Sequence, residues 1–178
     1  MKPIIAIISL LGLCLLWNPS SAPAQFFEAG VQKLETPMEA PDFNLNVLEG
    51  GKISLKELRG KVVLLNFFSP SCSVCQKEAS SFDKLNAAMK GKDIVLLQIA
   101  TGVTEEQALK FKKKFKISLP ILMDHDGAVG KAFRLFGLHE TFFINREGKI
   151  IGKTFEGGKE WTSPEMLNLI EHLLAAEK

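Results

Sequence analysis

Cysteine is scarce in this chain, an excess of charge of either sign is nearly absent, and no segment repeats. Three cysteines in 178 residues exclude a small disulfide-stapled scaffold, which carries several bridges in a much shorter chain. A formal net charge of +2 gives no footing for a nucleic-acid partner or an acidic surface. The apolar run Ile4 to Trp17 falls short of the ~20 residues that a spanning helix needs. What is present is ordinary. Hydrophobic content of 46% and charged content of 24% fit a soluble globular protein. The length suits one domain plus a short extension. A domain of this size buries roughly two thirds of its unfolded surface, so a core forms without disulfide staples.

The N-terminus reads as a separate unit. Lys2 gives a weak positive start. The apolar run follows, then the polar segment Asn18-Pro19-Ser20-Ser21, then the A-x-A site Ala22-Pro23-Ala24. This is the three-part build of a secretory signal peptide, and cleavage leaves Gln25 first. The competing reading is an uncleaved anchor or a buried helix. Cys14 follows Leu13, where a lipidation site would want a small residue, so lipidation is not expected. The expected organisation is a signal over 1–24, a lead-in over 25–40 and one domain over 41–178. Cys14 leaves with the signal, and the exported chain keeps Cys72 and Cys75. A bridge closing so short a loop removes little chain entropy. Redox chemistry or metal binding therefore explains the pair better than a staple does.

Periodic elements begin after Pro41. Asn44 to Leu48 alternates weakly and predicts a short strand. Ser54-Leu55-Lys56-Glu57 fits a capping box and predicts one helical turn ended by Gly60. Val62 to Phe68 is nearly all apolar and reads as a central strand buried on both faces. Ser69-Pro70-Ser71 breaks it. Ala79, Phe82, Leu85 and Met89 recur at helical spacing and predict a helix from about Ser73 to Met89, with Gly91 as its C-cap. Ile94 to Ile99 is a second buried strand. Thr104-Glu105-Glu106-Gln107 is a capping box that opens a helix to about Phe115. Pro120 to Met123 is extended. Ala128 to Phe136 is helical and stops at Gly137. Thr141 to Ile144 and Ile150 to Phe155 are strands joined by the turn Asn145-Arg146-Glu147-Gly148. Ser163-Pro164 starts a last helix that runs to about Ala176. This order implies an α/β fold with parallel strands, an antiparallel edge and helices on both faces of the sheet.

The pair Cys72-Ser73-Val74-Cys75 sits where the central strand turns into a helix. Cys72 then lies at or near the N-cap, beside unpaired backbone N–H groups and the positive end of the helix dipole. That favours thiolate, below the free-thiol pKa of about 8.5. Cys75 lies one turn in, within disulfide reach. Cys72 is the expected attacking thiol and Cys75 the resolving thiol. Glu78 falls on the Cys75 face of the same helix. If buried, it takes up a proton near neutral pH and activates Cys75. Its alternative reading is a solvated residue in the polar string Gln76-Lys77-Glu78.

At this point the chain resembles the TlpA/ResA-type branch of the thioredoxin superfamily over roughly Ala40 to Leu174. The residues that carry the likeness are Ala40-Pro41-Asp42-Phe43, Lys61 to Phe68, Cys72 to Glu78, Thr141 to Asn145 with Gly148, and Trp161-Thr162-Ser163-Pro164-Glu165. The resemblance implies a thioredoxin-like fold: a central mixed sheet flanked by helices, with an N-terminal hairpin and an inserted strand–helix unit, here Asp93 to Phe115. It implies reduction of disulfides in exported partner proteins, apocytochrome c and copper-site assembly proteins among them. It implies re-reduction by a membrane electron-donor protein, no cofactor, a monomer, and a periplasmic or otherwise extracytoplasmic location. Glu78 occupies the family's buried-acid position.

Two positions depart from the family. Ser71 stands where a tryptophan usually precedes the first cysteine. His139, in Leu138-His139-Glu140-Thr141, replaces the cis-proline, and without proline that peptide is expected to be trans. Ser71, His139 and Glu140 are the candidate substrate groove. His139 has three readings: an exposed loop histidine, a charged neighbour that lowers the Cys72 pKa, or the third ligand of a copper site with Cys72 and Cys75. Copper binding by a metallochaperone is thus the alternative function. The lysine run from Lys110 to Lys116 reads as a solvated helix face with Phe111 and Phe115 turned inward. Asp124-His125-Asp126-Gly127 lacks the later glutamate of a calcium loop and reads as a turn. A peroxidase would want proline at Leu65.

Overall fold

A strand with no polar face belongs inside a sheet, and Val62–Phe68 is buried along its whole length. The computed structural model describes residues 22–154 and 156–176. In chain order the elements are helix α1 (Ala22–Glu28), strands β1 (Gln32–Glu39), β2 (Asn44–Val47) and β3 (Lys52–Ser54), a 3-10 turn (Leu55–Leu58), and β4 (Val62–Phe68). Then come α2 (Ser73–Ala88), β5 (Ile94–Thr101), α3 (Glu105–Phe115), β6 (Ile121–Asp124), α4 (Ala128–Ala132), β7 (Thr141–Ile144), β8 (Lys149–Lys153) and α5 (Pro164–Ala176).

The strands form one sheet in the order β1-β8-β7-β4-β5-β6-β2-β3. β4, β5 and β6 run parallel. β7, β8 and β1 extend one side antiparallel, and the β2–β3 hairpin closes the other against β6. This is the expected thioredoxin-like mixed sheet, with the hairpin and the inserted β5–α3 unit in place. The period-two rule for strands splits the core. Val62, Leu64 and Phe68 of β4 join Phe82 and Leu85 of α2, Phe111 of α3 and Leu169 of α5 on one face. Val63, Leu65 and Phe67 join Leu97, Ile99, Phe142 and Phe133 on the other. Trp161 is fully buried and meets Phe82 edge-on, ring centroids 5.0 Å apart.

Five expectations need correction. The lead-in contains β1, an edge strand exposed almost throughout. Among the described residues no strand pairs with its outer side, so Pro37 breaks no ladder and no apolar alternation marks it. Residues 22–28 form α1, whose Phe26 is buried. The rest of the expected signal segment, with Cys14, lies outside the described residues. Ser54 makes no side-chain cap on the 3-10 turn. Asp42 accepts the Lys56 N–H instead, at 3.2 Å. α4 stops at Ala132, not Phe136, because Arg134 turns left-handed, φ 54°, and the Leu135 N–H closes back on the Gly130 carbonyl at 3.2 Å; beyond it, the N–H groups of Phe136 and Gly137 donate to the Glu140 carboxylate. β8 ends at Lys153, and Phe155 of the longer expected strand lies outside the described residues. The Thr104–Gln107 capping box forms as expected.

Candidate active site

β4 leads into Ser69-Pro70-Ser71, and the chain turns sharply there. Cys72 N–H donates to the Ser69 carbonyl at 3.0 Å, and the Gln76 amide donates to the Pro70 carbonyl at 2.8 Å. These bonds place Cys72 at the N-cap of α2, where its Sγ accepts the Cys75 N–H at 3.1 Å. A sulfur that accepts a backbone N–H at a helix N-terminus is stabilised as thiolate. Cys72 is half-buried, whereas Cys75 is 2% exposed within the core. The two sulfurs lie at disulfide distance, their Cα atoms 5.3 Å apart. Cys75 Sγ also abuts the Leu138 carbonyl oxygen.

Glu78 is buried, not solvated, at 2% exposure. Desolvation pushes its carboxyl above the usual carboxylate range. Hydrogen bonds oppose that shift without cancelling it. The Gly158 N–H donates to Oε2 at 3.1 Å, and the Asn66 amide donates to Oε1 at 3.5 Å. The Trp161 indole N–H acts on the same carboxyl without closing a hydrogen bond.

The remaining candidates divide. Ser71 is exposed, its hydroxyl 3.0 Å from that of Ser69. His139 is half-buried and enters by a trans peptide. It packs on Gly157, where an added Cβ would lie 3.0 Å from its ring, and Val74 crowds the same glycine. The 137–139 loop, the 157–158 loop and the Cys72–Cys75 turn therefore meet. Glu140 does not line an open groove. It is 1% exposed and turned inward, where its carboxylate accepts from Phe136 N at 2.6 Å and Gly137 N at 2.9 Å and faces Lys153 Nζ at 3.5 Å. Among the described residues, no group of three or more His, Cys, Asp or Glu is arranged to hold a metal ion.

Three site residues escaped the sequence reading: Asn66, Gly158 and Leu138. Asn66 had a legible sign, the one polar residue in the apolar run Val62–Phe68. It donates to Thr141 Oγ1 at 2.9 Å and accepts from the Gln98 amide at 3.3 Å. The other two act through backbone atoms, which no residue type reveals.

Residues 37–153 match the model of the AhpC/TSA family. The chain belongs to this family. Similar members include the thiol-disulfide oxidoreductase ResA of Bacillus thuringiensis subsp. konkukian, 32% identical over 120 residues, which cover 67% of this chain and 69% of that one. ResA of Bacillus subtilis is 29% identical over 80% of each chain. Among solved structures, the thioredoxin domain of a thiol-disulfide oxidoreductase from Bacteroides vulgatus aligns with a TM-score of 0.68 at 26% identity, covering 79% of this chain and 99% of that one. This family member is thus a thiol–disulfide oxidoreductase with a thioredoxin-like fold.

Proposed function

We propose that this chain reduces disulfides of specific exported proteins outside the cytoplasm, with Cys72 as attacking thiolate, Cys75 as resolving thiol and Glu78 as proton acceptor. One observation carries the reading. The half-buried Cys72 sulfur accepts a backbone N–H at 3.1 Å at the N-cap of α2, while its mate is 2% exposed behind it. One sulfur is reachable and stabilised, and the other is held back for an internal step.

The exchange balances without a cofactor. Cys72 thiolate attacks one sulfur of the partner's disulfide. A Cys72–partner bond forms, the partner's own S–S bond breaks, and the second partner sulfur leaves as thiolate and takes a proton. Cys75 then gives its proton to Glu78 and attacks Cys72. The Cys72–Cys75 bond forms, the mixed disulfide breaks, and the partner leaves reduced. Two electrons pass from the dithiol to the partner. The Glu78 carboxyl suits this role, because burial holds it above the usual carboxylate range.

The signal-type N-terminus over residues 1–24 and the ResA relatives support an extracytoplasmic location. No described helix is long and apolar enough to cross a membrane. The partner classes implied by the family likeness are apocytochrome c and copper-site assembly proteins. A membrane electron-donor protein returns the pair to the dithiol by the reverse exchange. The chain acts as a monomer. In a Cys75→Ser variant the second step is impossible, so a covalent Cys72–partner complex accumulates and dithiothreitol releases it. A variant that traps nothing, from a parent that exchanges with no small disulfide, refutes the proposal.

A further inference from the structure

The lysine run from Lys110 to Lys116 is not a uniformly solvated face. Lys112 donates to the Leu119 carbonyl at 2.6 Å and pairs with Glu49. Lys114 reaches to α2, where its Nζ donates to Gln76 Oε1 at 3.3 Å, and it lies over the Phe115 ring, 5.0 Å from the centroid. Aromatic contacts tie that end of α3 to the sheet. Phe115 meets Phe111 at 4.8 Å between centroids, and Phe111 meets Phe68 of β4 at 4.6 Å. The inserted β5–α3 unit is thereby fixed to the strand that ends at the cysteine turn.

Gln76 is where this unit touches the redox turn. Its backbone N–H donates to the Cys72 carbonyl at 3.1 Å. Its half-buried side chain donates through Nε2 to the Pro70 carbonyl at 2.8 Å. A carboxamide has nearly the same shape either way round, so its partners choose its orientation. A lysine ammonium can only donate. Lys114 therefore claims the oxygen of Gln76 and turns the NH₂ end to Pro70. Reversed, the amide would set its oxygen against the Pro70 carbonyl and its NH₂ against an ammonium. The turn held this way carries Cys72 at the N-cap of α2, where Sγ accepts the Cys75 N–H at 3.1 Å. That bond favours the thiolate, and it depends on the shape of the turn.

We propose that Gln76 is a positioning residue for the attacking sulfur of Cys72 and that Lys114, supplied by the inserted helix α3, sets its orientation. This rests on the disulfide-exchange reading and deepens it, because the insert acts on the chemistry at Cys72 through one side-chain bridge. The other ionisable groups around the turn are Glu78 in the core, exposed Lys77 on α2, His139 in the loop that meets the turn, and Lys110, which Glu106 engages at 2.7 Å. Substitutions at Gln76 and Lys114 leave all of them in place.

The test follows alkylation of Cys72 by iodoacetamide against pH in the reduced full chain, with thermal melts of the same samples. In Gln76→Leu the midpoint should rise by about half to one pH unit, which leaves about three- to ten-fold less thiolate well below the midpoint. Lys114→Met, which removes the donor and keeps the length, should raise the midpoint in the same direction. Lys114→Arg, which still donates, should restore it. Lys113→Met removes an equal charge one residue away, without a bond to Gln76, and should leave the midpoint where it is. A merely structural contact would lower the melting temperature and leave the midpoint alone. A midpoint unmoved by Gln76→Leu or by Lys114→Met overturns the proposal. So does a shift in Lys113→Met as large as in Lys114→Met, or a Lys114→Arg variant that behaves as Lys114→Met does. All of these leave disulfide exchange intact. A wild-type Cys72 that titrates as an ordinary thiol and exchanges with no small disulfide overturns the exchange reading itself, and this proposal with it.

Discussion

Replacing Glu78 with glutamine should make this protein slower and more stable at once. The side chain is 2% exposed, and the Gly158 N–H donates to its carboxylate at 3.1 Å. Glutamine keeps an oxygen for that donor and the shape of the side chain, but it cannot take a proton from Cys75. Loss of a positioned proton acceptor slows a step by about 10²-fold or more. The slowed step is the second one, release of partner from Cys72, while the first attack keeps its rate. Stability moves the other way. The folded-state pKa of Glu78 is raised by desolvation, so its favourable contribution is complete below the ordinary carboxylate range. That contribution is lost as pH rises through the folded value. At neutral pH the folded protein therefore holds a carboxyl it would rather keep neutral, and glutamine removes that penalty. The melting temperature should rise by about 2–4 °C for each kcal/mol recovered, and the gain should vanish near pH 4. Rapid-quench kinetics on a peptide disulfide and thermal melts from pH 4 to 8 read both effects. A variant with unchanged release rate, or one destabilised at pH 7, refutes the role given to Glu78.

Two further outcomes follow from the same network. Asn66→Ala removes the 3.5 Å bond to Glu78 Oε1, one of the contacts that lowers the Glu78 pKa. The pH midpoint of partner release should shift upward, and loss of the Thr141 and Gln98 bonds should cost about 1–3 kcal/mol of stability by denaturant melts. Trp161→Ala empties a fully buried site against Phe82 and should cost about 3–5 kcal/mol, measured by urea unfolding.

The fold was legible wherever burial dictates residue type. β4 is apolar at every residue but Asn66 because both its faces are covered, and the Thr104–Gln107 box formed because its partners are neighbours in sequence. β1 was illegible because an edge strand exposed to water carries no apolar alternation. The end of α4 was misread because the backbone turns left-handed at Arg134, a non-glycine residue whose type gives no sign of a helix stop. Burial made Glu140 a poor groove residue, since a charged residue in a loop gives no sign in sequence of facing inward. Cys72, Cys75 and Glu78 were readable because one helix fixes their spacing. Gly158 and Leu138 were not, because each contributes a backbone atom from a loop far away in sequence.

The asymmetry of the two sulfurs is open to a single measurement. The reduced protein is treated with iodoacetamide across pH 4 to 10, and the alkylated cysteine is identified by mass. Cys72 alone should react, with a midpoint below the free-thiol value of about 8.5, while Cys75, at 2% exposure, stays unmodified in the folded state. Equal labelling of both, or no labelling of Cys72 until an ordinary thiol ionises, contradicts the account.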